Sequence, residues 1–518
     1  MMKRRKFLRH TFHSMAATGL AGSFGTSLPI NKVFASVMRN AIENDRILVM
    51  IYLEGGNDGL NTLVPLDKMS ALNSVRPHVI LPENRLIELP GYDLGLHPSL
   101  NGFSSLFQEG RLKIVQSVGY PEQNFSHFRS QDIWMTASGA KEVINSGWSG
   151  RYLDQQYPGF PEDFPNELMP DPLAIEIGYG SSLLFQGPNT SMSMVVNDPT
   201  SFYRLVDNID DEPLETRVGD KLQYIQTIKK QSQVYGEVVR NAAEKVKNQQ
   251  SFPQSGLGEQ LKIVSRLIAG GLQTPVYLVR LGGFDTHDAQ VLSNDHTKGE
   301  HSELLKELND AVMAFMNDLE SHGNADKVIG MTFSEFGRRI VSNASLGTDH
   351  GSAAPMFLFG NEIKGGVLGQ NPEIRSNMSY EDNLPIQNDF RQVYASVLEQ
   401  WFGLDGSQSS DLMYNSFDTV PVIGRVEKIT GLEEKIDQSF RIYPNPLKPQ
   451  SFIQFQSGGD NIIVELLDLN GKMVQKIYRG QTRNGINELS WNTDGLPSGP
   501  YLVVFKGDGF NKVMKVIK

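Results

Sequence analysis

Carboxylates, imidazoles and hydroxyls gather in five short segments of this chain, each directly beside an apolar run. Leu53-Glu54-Gly55-Gly56-Asn57-Asp58-Gly59-Leu60-Asn61 overlaps the end of the run Ile47 to Leu53, and Gln123-Asn124-Phe125-Ser126-His127-Phe128-Arg129-Ser130 comes after Leu112 to Val118. Gly282-Gly283-Phe284-Asp285-Thr286-His287 follows Val276 to Leu281, Ser334-Glu335-Phe336-Gly337-Arg338-Arg339 follows Val328 to Phe333, and Thr348-Asp349-His350-Gly351 precedes Met356 to Phe359. Carboxylate oxygen and imidazole nitrogen suit hard or borderline divalent ions such as Zn²⁺, Mn²⁺ or Mg²⁺. The candidate ligands are Asp58, Asp285, His287, Glu335, Asp349 and His350. Asp285 and His287 are two positions apart, so an extended segment turns both to one side. One ion, or two ions ~3.5 to 4 Å apart, could polarise the non-bridging oxygens of an ester and stabilise its attacking and leaving oxygens. Ser126 at a helix start sits among free backbone amides that favour an anion. It is the candidate nucleophile, with His127 its rival, and Arg129 one turn on could clamp the anion. Singly, each residue also has a structural explanation: Asn57-Asp58-Gly59 is a turn signal, and Ser126, Thr286 or Ser334 could serve only as a helix cap.

The apolar runs that must position these segments are short and nearly continuous, which suits parallel strands buried on both faces. Helical patterns separate them at Phe128 to Ala137, Leu222 to Val246, Leu261 to Ala269, Leu304 to Leu319 and Phe390 to Phe402. The alternation predicts an α/β fold with a mostly parallel sheet flanked by helices. In such sheets ligands bind beyond the carboxyl ends of the strands, so the five segments should converge there. Past a polar stretch at 425–437 the pattern changes to short alternating strands: Phe452 to Phe455, Ile462 to Leu467, Lys472 to Tyr478, Ile486 to Trp491 and Tyr501 to Phe505. Turn signals at Asn470-Gly471, Asn484-Gly485 and Pro497-Ser498-Gly499 fall between them, predicting a small C-terminal all-β sandwich.

Composition bounds the function. The 518 residues contain no cysteine, which removes disulfides, thiolate nucleophiles, Fe–S clusters and Cys-type zinc sites. A net charge of −11, from 59 acidic and 48 basic residues, argues against a nucleic-acid partner, which needs a basic face. No GxxxxGK[ST], convincing GxGxxG, H-E-x-x-H or G-x-S-x-G occurs, so P-loop, dinucleotide and common peptidase chemistries lack support.

The N-terminus carries a basic start, a modest apolar middle from Ser14 to Leu28 and a small-residue cleavage motif ending at Ala35, the three parts of a signal peptide. Its apolar stretch is too short and polar to span a membrane, which takes ~20 predominantly apolar residues, so no transmembrane anchor is expected. Arg4-Arg5-Lys6-Phe7-Leu8-Arg9 resembles the twin-arginine export signature.

From about Arg46 to Gly403, the phrases GGNDGLNTLVP, GLHPSL, GRLKIVQSVGYPEQNFSHFRSQDIW, LGGFDTHDAQ, TFSEFGRR, GTDHGSAAPMF and DFRQVYASVLEQWFG resemble the DUF1501 family. That family is similar to the alkaline phosphatase and sulfatase superfamily, which implies metal-dependent hydrolysis of a phosphate or sulfate ester. In that resemblance Asp58 is a ligand, Ser126 the nucleophile position, Asp285 and His287 the paired ligands, Glu335 the later carboxylate and His350 the final histidine. The paired Asp and His are two apart here rather than four, Glu335 is followed by Phe336 rather than His, and the sulfatase modification sequence is absent.

The tail resembles the C-terminal sorting domain of the Bacteroidetes type IX secretion system. The residues are Ile442-Tyr443-Pro444-Asn445-Pro446, Leu469-Asn470-Gly471, Leu496-Pro497-Ser498-Gly499-Pro500-Tyr501 and the basic finish Lys512 to Lys518. The resemblance implies that machinery as a partner and export through the periplasm to the cell surface, outer membrane or medium. The expected organisation is a signal peptide at 1–35, a catalytic-size domain at 36–424, a linker at 425–437 and a sorting domain at 438–518. A small-molecule or glycan ester is the expected substrate; the alternative is a non-catalytic surface protein that binds or assembles.

Overall fold

The computed structural model describes residues 45–166, 169–178, 180–197, 234–424, 440–444, 447–459, 461–467, 473–497, 499–507 and 510–518. The signal peptide, the linker and the first part of the helix expected from Leu222 lie outside these residues. The chain divides into two compact units between Gln438 and Ser439.

The first unit is built on a nine-stranded sheet. Its strands are β1 (Ile47–Leu53), β2 (Leu112–Gly119), β3 (Ala174–Ile177), β4 (Ser193–Val196), β5 (Val276–Leu281), β6 (Val328–Phe333), β7 (Ala354–Phe359), β8 (Gly366–Leu368) and β9 (Asn388–Asp389). Their order is β8-β2-β7-β6-β1-β5-β3-β4, with β9 also pairing β2. All pairings are parallel except those of β7, which runs against both β2 and β6. The expected mostly parallel α/β fold is what forms.

Two-sided burial explains the apolar runs. On β1, Ile47, Val49, Ile51 and Leu53 join one core, whereas Leu48, Met50 and Tyr52 join the other. The first core is covered by the helices Asn101–Gln108, Gly256–Ala269 and Glu300–Ser321, the second by His127–Thr136, Trp148–Gln156 and Phe390–Ser396. At about 25 cal/mol per Å² of apolar surface removed from water, burying both faces is the main source of stability. The reversal of β7 has a direct result for chemistry. Its first residues lie at the carboxyl edge of the parallel strands, so the segment that precedes it, with Asp349 and His350, arrives where the segments following the other strands end.

The second unit holds a three-stranded sheet (Phe440–Tyr443, Gln450–Gly458, Asn484–Asn492) and a four-stranded sheet (Asn461–Leu467, Met473–Gln481, Pro500–Gly507, Phe510–Ile517). Ile453, Phe455 and Trp491 of the first share a core with Val464, Leu466, Val503 and Phe505 of the second. Trp491 Nε1 also donates across to Gln475 Oε1 at 3.2 Å. This is the expected all-β sandwich, extended by the strands at Phe440 and Phe510, which alternation alone left unassigned.

Candidate metal centre

Asp285 leaves β5 in a segment where Thr286 N donates to Phe284 O and His287 N to Asp285 O. Thr286 is thereby turned inward, 1% exposed, while Asp285 and His287 face outward together. Glycine is obligatory in the adjoining segment after β1. At Gly55, with φ +120°, an added Cβ would stand 2.3 Å from Asp285 N, and at Gly56, with φ +86°, 2.4 Å from the Phe336 ring.

Three histidines meet at Asp285, and each is aimed by a bond from its Nδ1. His127 Nδ1 lies 2.8 Å from Glu335 Oε1, His287 Nδ1 2.7 Å from Asp349 Oδ1, and His350 Nδ1 2.8 Å from the Phe125 carbonyl oxygen. All three partners are acceptors, so each Nδ1 carries a proton and each Nε2 is the atom turned toward Asp285. Those Nε2 atoms converge. His350 Nε2 is 3.0 Å and His287 Nε2 3.2 Å from Asp285 Oδ1, His127 Nε2 is 3.4 Å from Asp285 Oδ2, and the Nε2 atoms of His287 and His350 are 3.0 Å apart. Nitrogen and oxygen atoms this close take a proton or a metal ion between them. Ligand bonds of ~2.0 to 2.1 Å set neighbouring donors of a tetrahedron roughly 3.3 Å apart, and the three nitrogens stand 3.0 to 3.4 Å from the Asp285 oxygens. His127, Asp285 and His350 form the group whose ligand atoms all lie within 4.8 Å of one another. The donor set therefore fits a divalent ion.

Arg338 anchors the arrangement from beneath. Its guanidinium, with no exposed side-chain surface, donates to the carbonyls of Gly55, Gly56, Phe284 and Thr348 and, at 2.7 Å, to Asp285 Oδ1. It faces His350 across the two-residue pairing of Gly337–Arg338 with His350–Gly351. Burial works to raise the Asp285 carboxyl, but the bond and the positive charge of Arg338 outweigh it and hold it at about 2. The Glu335 bond pushes His127 upward, and burial pushes His350 downward.

The candidate residues thus separate into layers. Asp285, His127, His287 and His350 present atoms to the centre. Glu335 and Asp349, expected as ligands, stand one bond further out as carboxylates that orient imidazoles. Glu335 is 1% exposed and is fixed also by Gly55 N at 2.8 Å and by the Tyr52 hydroxyl. Ser126 is exposed at the start of the helix His127–Thr136, and its side chain makes no capping bond. Arg129 is not brought to the centre, because its Nη2 donates to the carbonyls of Gly139, Ala140 and Glu142.

Asp58 is not brought there either. Its carboxylate is buried, ion-paired with Arg76, bonded by Gln290 Nε2 at 2.6 Å, and caps the helix Gly59–Thr62 through Leu60 N. This second polar cluster includes His301, whose Nε2 donates to Asn57 Oδ1 at 2.9 Å, and His97, whose Nδ1 accepts from Ser99 N at 3.1 Å. Burial drives His301 down to about 4 and His97 to about 3. Both stay neutral in the folded chain, while in the unfolded chain they titrate near ~6.5. Between pH 6.5 and 4 the unfolded state therefore binds more protons, and each imidazole removes ~1.4 kcal/mol of stability per pH unit of acidification. Asp285 titrates below that window. Denaturant unfolding at stepped pH should show stability falling as pH drops from 6.5 to 4, with His301→Gln reducing the slope.

Roles for Arg338, Arg76, Gln290 and the Phe125 carbonyl were not assigned from sequence; all but Arg76 and Gln290 lie inside the polar segments singled out there.

The second unit's residues 441–518 match the model of the "Secretion system C-terminal sorting domain", which marks a secreted or cell-surface protein. No helix among the described residues is long and apolar enough to cross a membrane. No curated protein matches the chain. Among solved structures, similar ones include a protein in the alkaline phosphatase superfamily from Vibrio parahaemolyticus, at 10% identity over 84% of this chain and 86% of that one, TM-score 0.34. Another is the PsFucS1 sulfatase from Pseudoalteromonas sp., at 10% identity over 89% and 88%, TM-score 0.33. A third is the phosphonate monoester hydrolase SpPMH from Silicibacter pomeroyi, at 9% identity over 91% and 88%, TM-score 0.31. Residues 116–413, more than half the chain and including the three clustered histidines with Asp285, match the model "Protein of unknown function (DUF1501)": the chain belongs to the DUF1501 family.

Proposed function

We propose that this protein is an exported, metal-dependent hydrolase of a phosphate or sulfate ester, handled by the type IX secretion machinery through its C-terminal unit. The single observation that carries the reading is the convergence of three Nε2 atoms, each with its Nδ1 already bonded, on the Asp285 carboxylate. His127, His287, His350 and Asp285 would hold the ion, with Glu335, Asp349 and the Phe125 carbonyl fixing the rings. Bound there, Zn²⁺, Mn²⁺ or Mg²⁺ would polarise the non-bridging oxygens of the ester and favour ionisation of an attacking hydroxyl.

The chain's own groups supply the rest. Ser126, flanked by Phe125 and His127, keeps its hydroxyl free of a capping bond and is the nucleophile of this reading. Its oxygen bonds to phosphorus or sulfur, the ester oxygen leaves as the alcohol, and water then cleaves the seryl ester. Solvent reaches the site, since the Asp285 side chain is 48% exposed. The same reading keeps a signal peptide at 1–35 with twin-arginine export and passage through the periplasm.

Elemental analysis of purified protein, followed by a panel of nitrophenyl phosphate and sulfate esters, tests the activity. Ser126→Ala should keep its metal while turnover falls by a factor on the order of 10³ or more. Retained turnover in Ser126→Ala with loss in His127→Ala would move the nucleophilic role to His127. A protein that purifies metal-free and takes up none of the three ions would instead be a surface binding protein.

A further inference from the structure

Beside the proposed metal centre stands a charged aromatic ledge that the chemistry above does not use. Arg339 follows Arg338, and its backbone N donates to Asp349 O at 2.9 Å. Its guanidinium carbon lies over two rings, 5.8 Å from the Phe125 centroid and 5.4 Å from that of Tyr380. Nη1 donates to Tyr380 O at 2.8 Å and to Glu381 Oε2 at 3.0 Å. Nε and Nη2 have no acceptor among the described residues. Phe125 is 36% and Tyr380 48% exposed. Phe125 also ties the ledge to the centre, because its carbonyl accepts from His350 Nδ1.

A guanidinium lying over aromatic rings and held through Nη1 is weakly hydrated, and its two remaining donors suit a planar or tetrahedral oxyanion. Exposed ring faces suit the apolar C–H face of a pyranose. The chain as a whole is acidic, at −11, so it holds no general attraction for polyanions and a local cation decides. Glu381, 81% exposed, partly offsets Arg339, and an incoming anion competes with it for the guanidinium.

We propose that Arg339, Phe125 and Tyr380 form a substrate subsite for a pyranose ring bearing a second anionic group near the ester, so that the substrate is an anionic glycan. This rests on the hydrolase reading for the cleaved ester, but not for the binding itself. The test is calorimetric titration of the full chain with a heparin tetrasaccharide, and with cellotetraose as the neutral ring control. Binding of the heparin tetrasaccharide, weakened tenfold or more in Arg339→Gln and in Phe125→Ala, supports the subsite; Phe125→Ala retains the carbonyl that aims His350. Glu381→Gln should tighten binding about threefold, by removing the competing carboxylate. Equal affinity in wild type and Arg339→Gln, equal binding of cellotetraose, or binding of phosphatidylglycerol vesicles in place of the tetrasaccharide would overturn it. A protein that binds with this Arg339 dependence yet cleaves no nitrophenyl ester keeps the subsite and loses the hydrolase.

Discussion

Asp285→Asn combined with His350→Ala is expected to strip the bound ion and end ester hydrolysis, because a carboxylate and an imidazole of the group within 4.8 Å are lost together. The asparagine oxygen can still accept from Arg338, so the buried guanidinium keeps its fifth bond and the loss reports on metal rather than on collapse. Stability should fall by mass action: an ion held at ~100 times its Kd contributes ~2.7 kcal/mol that the variant cannot gain. Calorimetry with and without chelator, together with elemental analysis, checks this. The variant should melt where chelated wild type melts and should not respond to added ion. A variant that retains stoichiometric metal would place the ion elsewhere.

The second large effect lies in the buried cluster. Arg76→Met should destabilise the first unit by ~3 to 5 kcal/mol, because it leaves the Asp58 carboxylate buried without its countercharge. Arg76 also donates to the carbonyls of Arg339 at 2.8 Å and Ile340 at 3.0 Å, so its loss loosens the backbone that carries the hairpin of Arg338. Asp58→Asn with Arg76→Met should recover part of the loss, since the remaining groups are neutral. Denaturant titration of the two single variants and the double variant gives the coupling directly. A double variant no more stable than Arg76→Met would show that the hydrogen bonds, not the charge pair, carry the energy.

The sheet was legible because burial on both faces writes continuous apolar runs, and those of β1, β5 and β6 coincide with the strands to the residue. Asn388–Asp389, two polar residues recruited by the end of β2, offers no such signal. At the site, residue types pointed to the right segments but not to distance from the centre. Glu335 and Asp285 are both carboxylates directly beyond a strand; one faces an Nδ1 and the other three Nε2 atoms, and only folded geometry makes that difference. Asp58 illustrates the same limit. Its turn-forming neighbours are visible in sequence, but its partner Arg76 comes from a helix end whose only local signal is a charge after an apolar turn.

The reversed strand β7 also orders events in time. The bonds that aim the three imidazoles join residues 62, 208 and 225 positions apart, and the last ligand, His350, is delivered by the segment that enters β7. Pairings of such long sequence separation close late, after the loop entropy of the intervening chain has been spent. A nascent chain emerging from the ribosome holds His127 and later Asp285 and His287, but no complete donor set until residue 350 has been made and β7 has docked between β2 and β6. On the proposed reading, ion capture therefore waits for β7 to dock, and it reports that this reversed strand is in place.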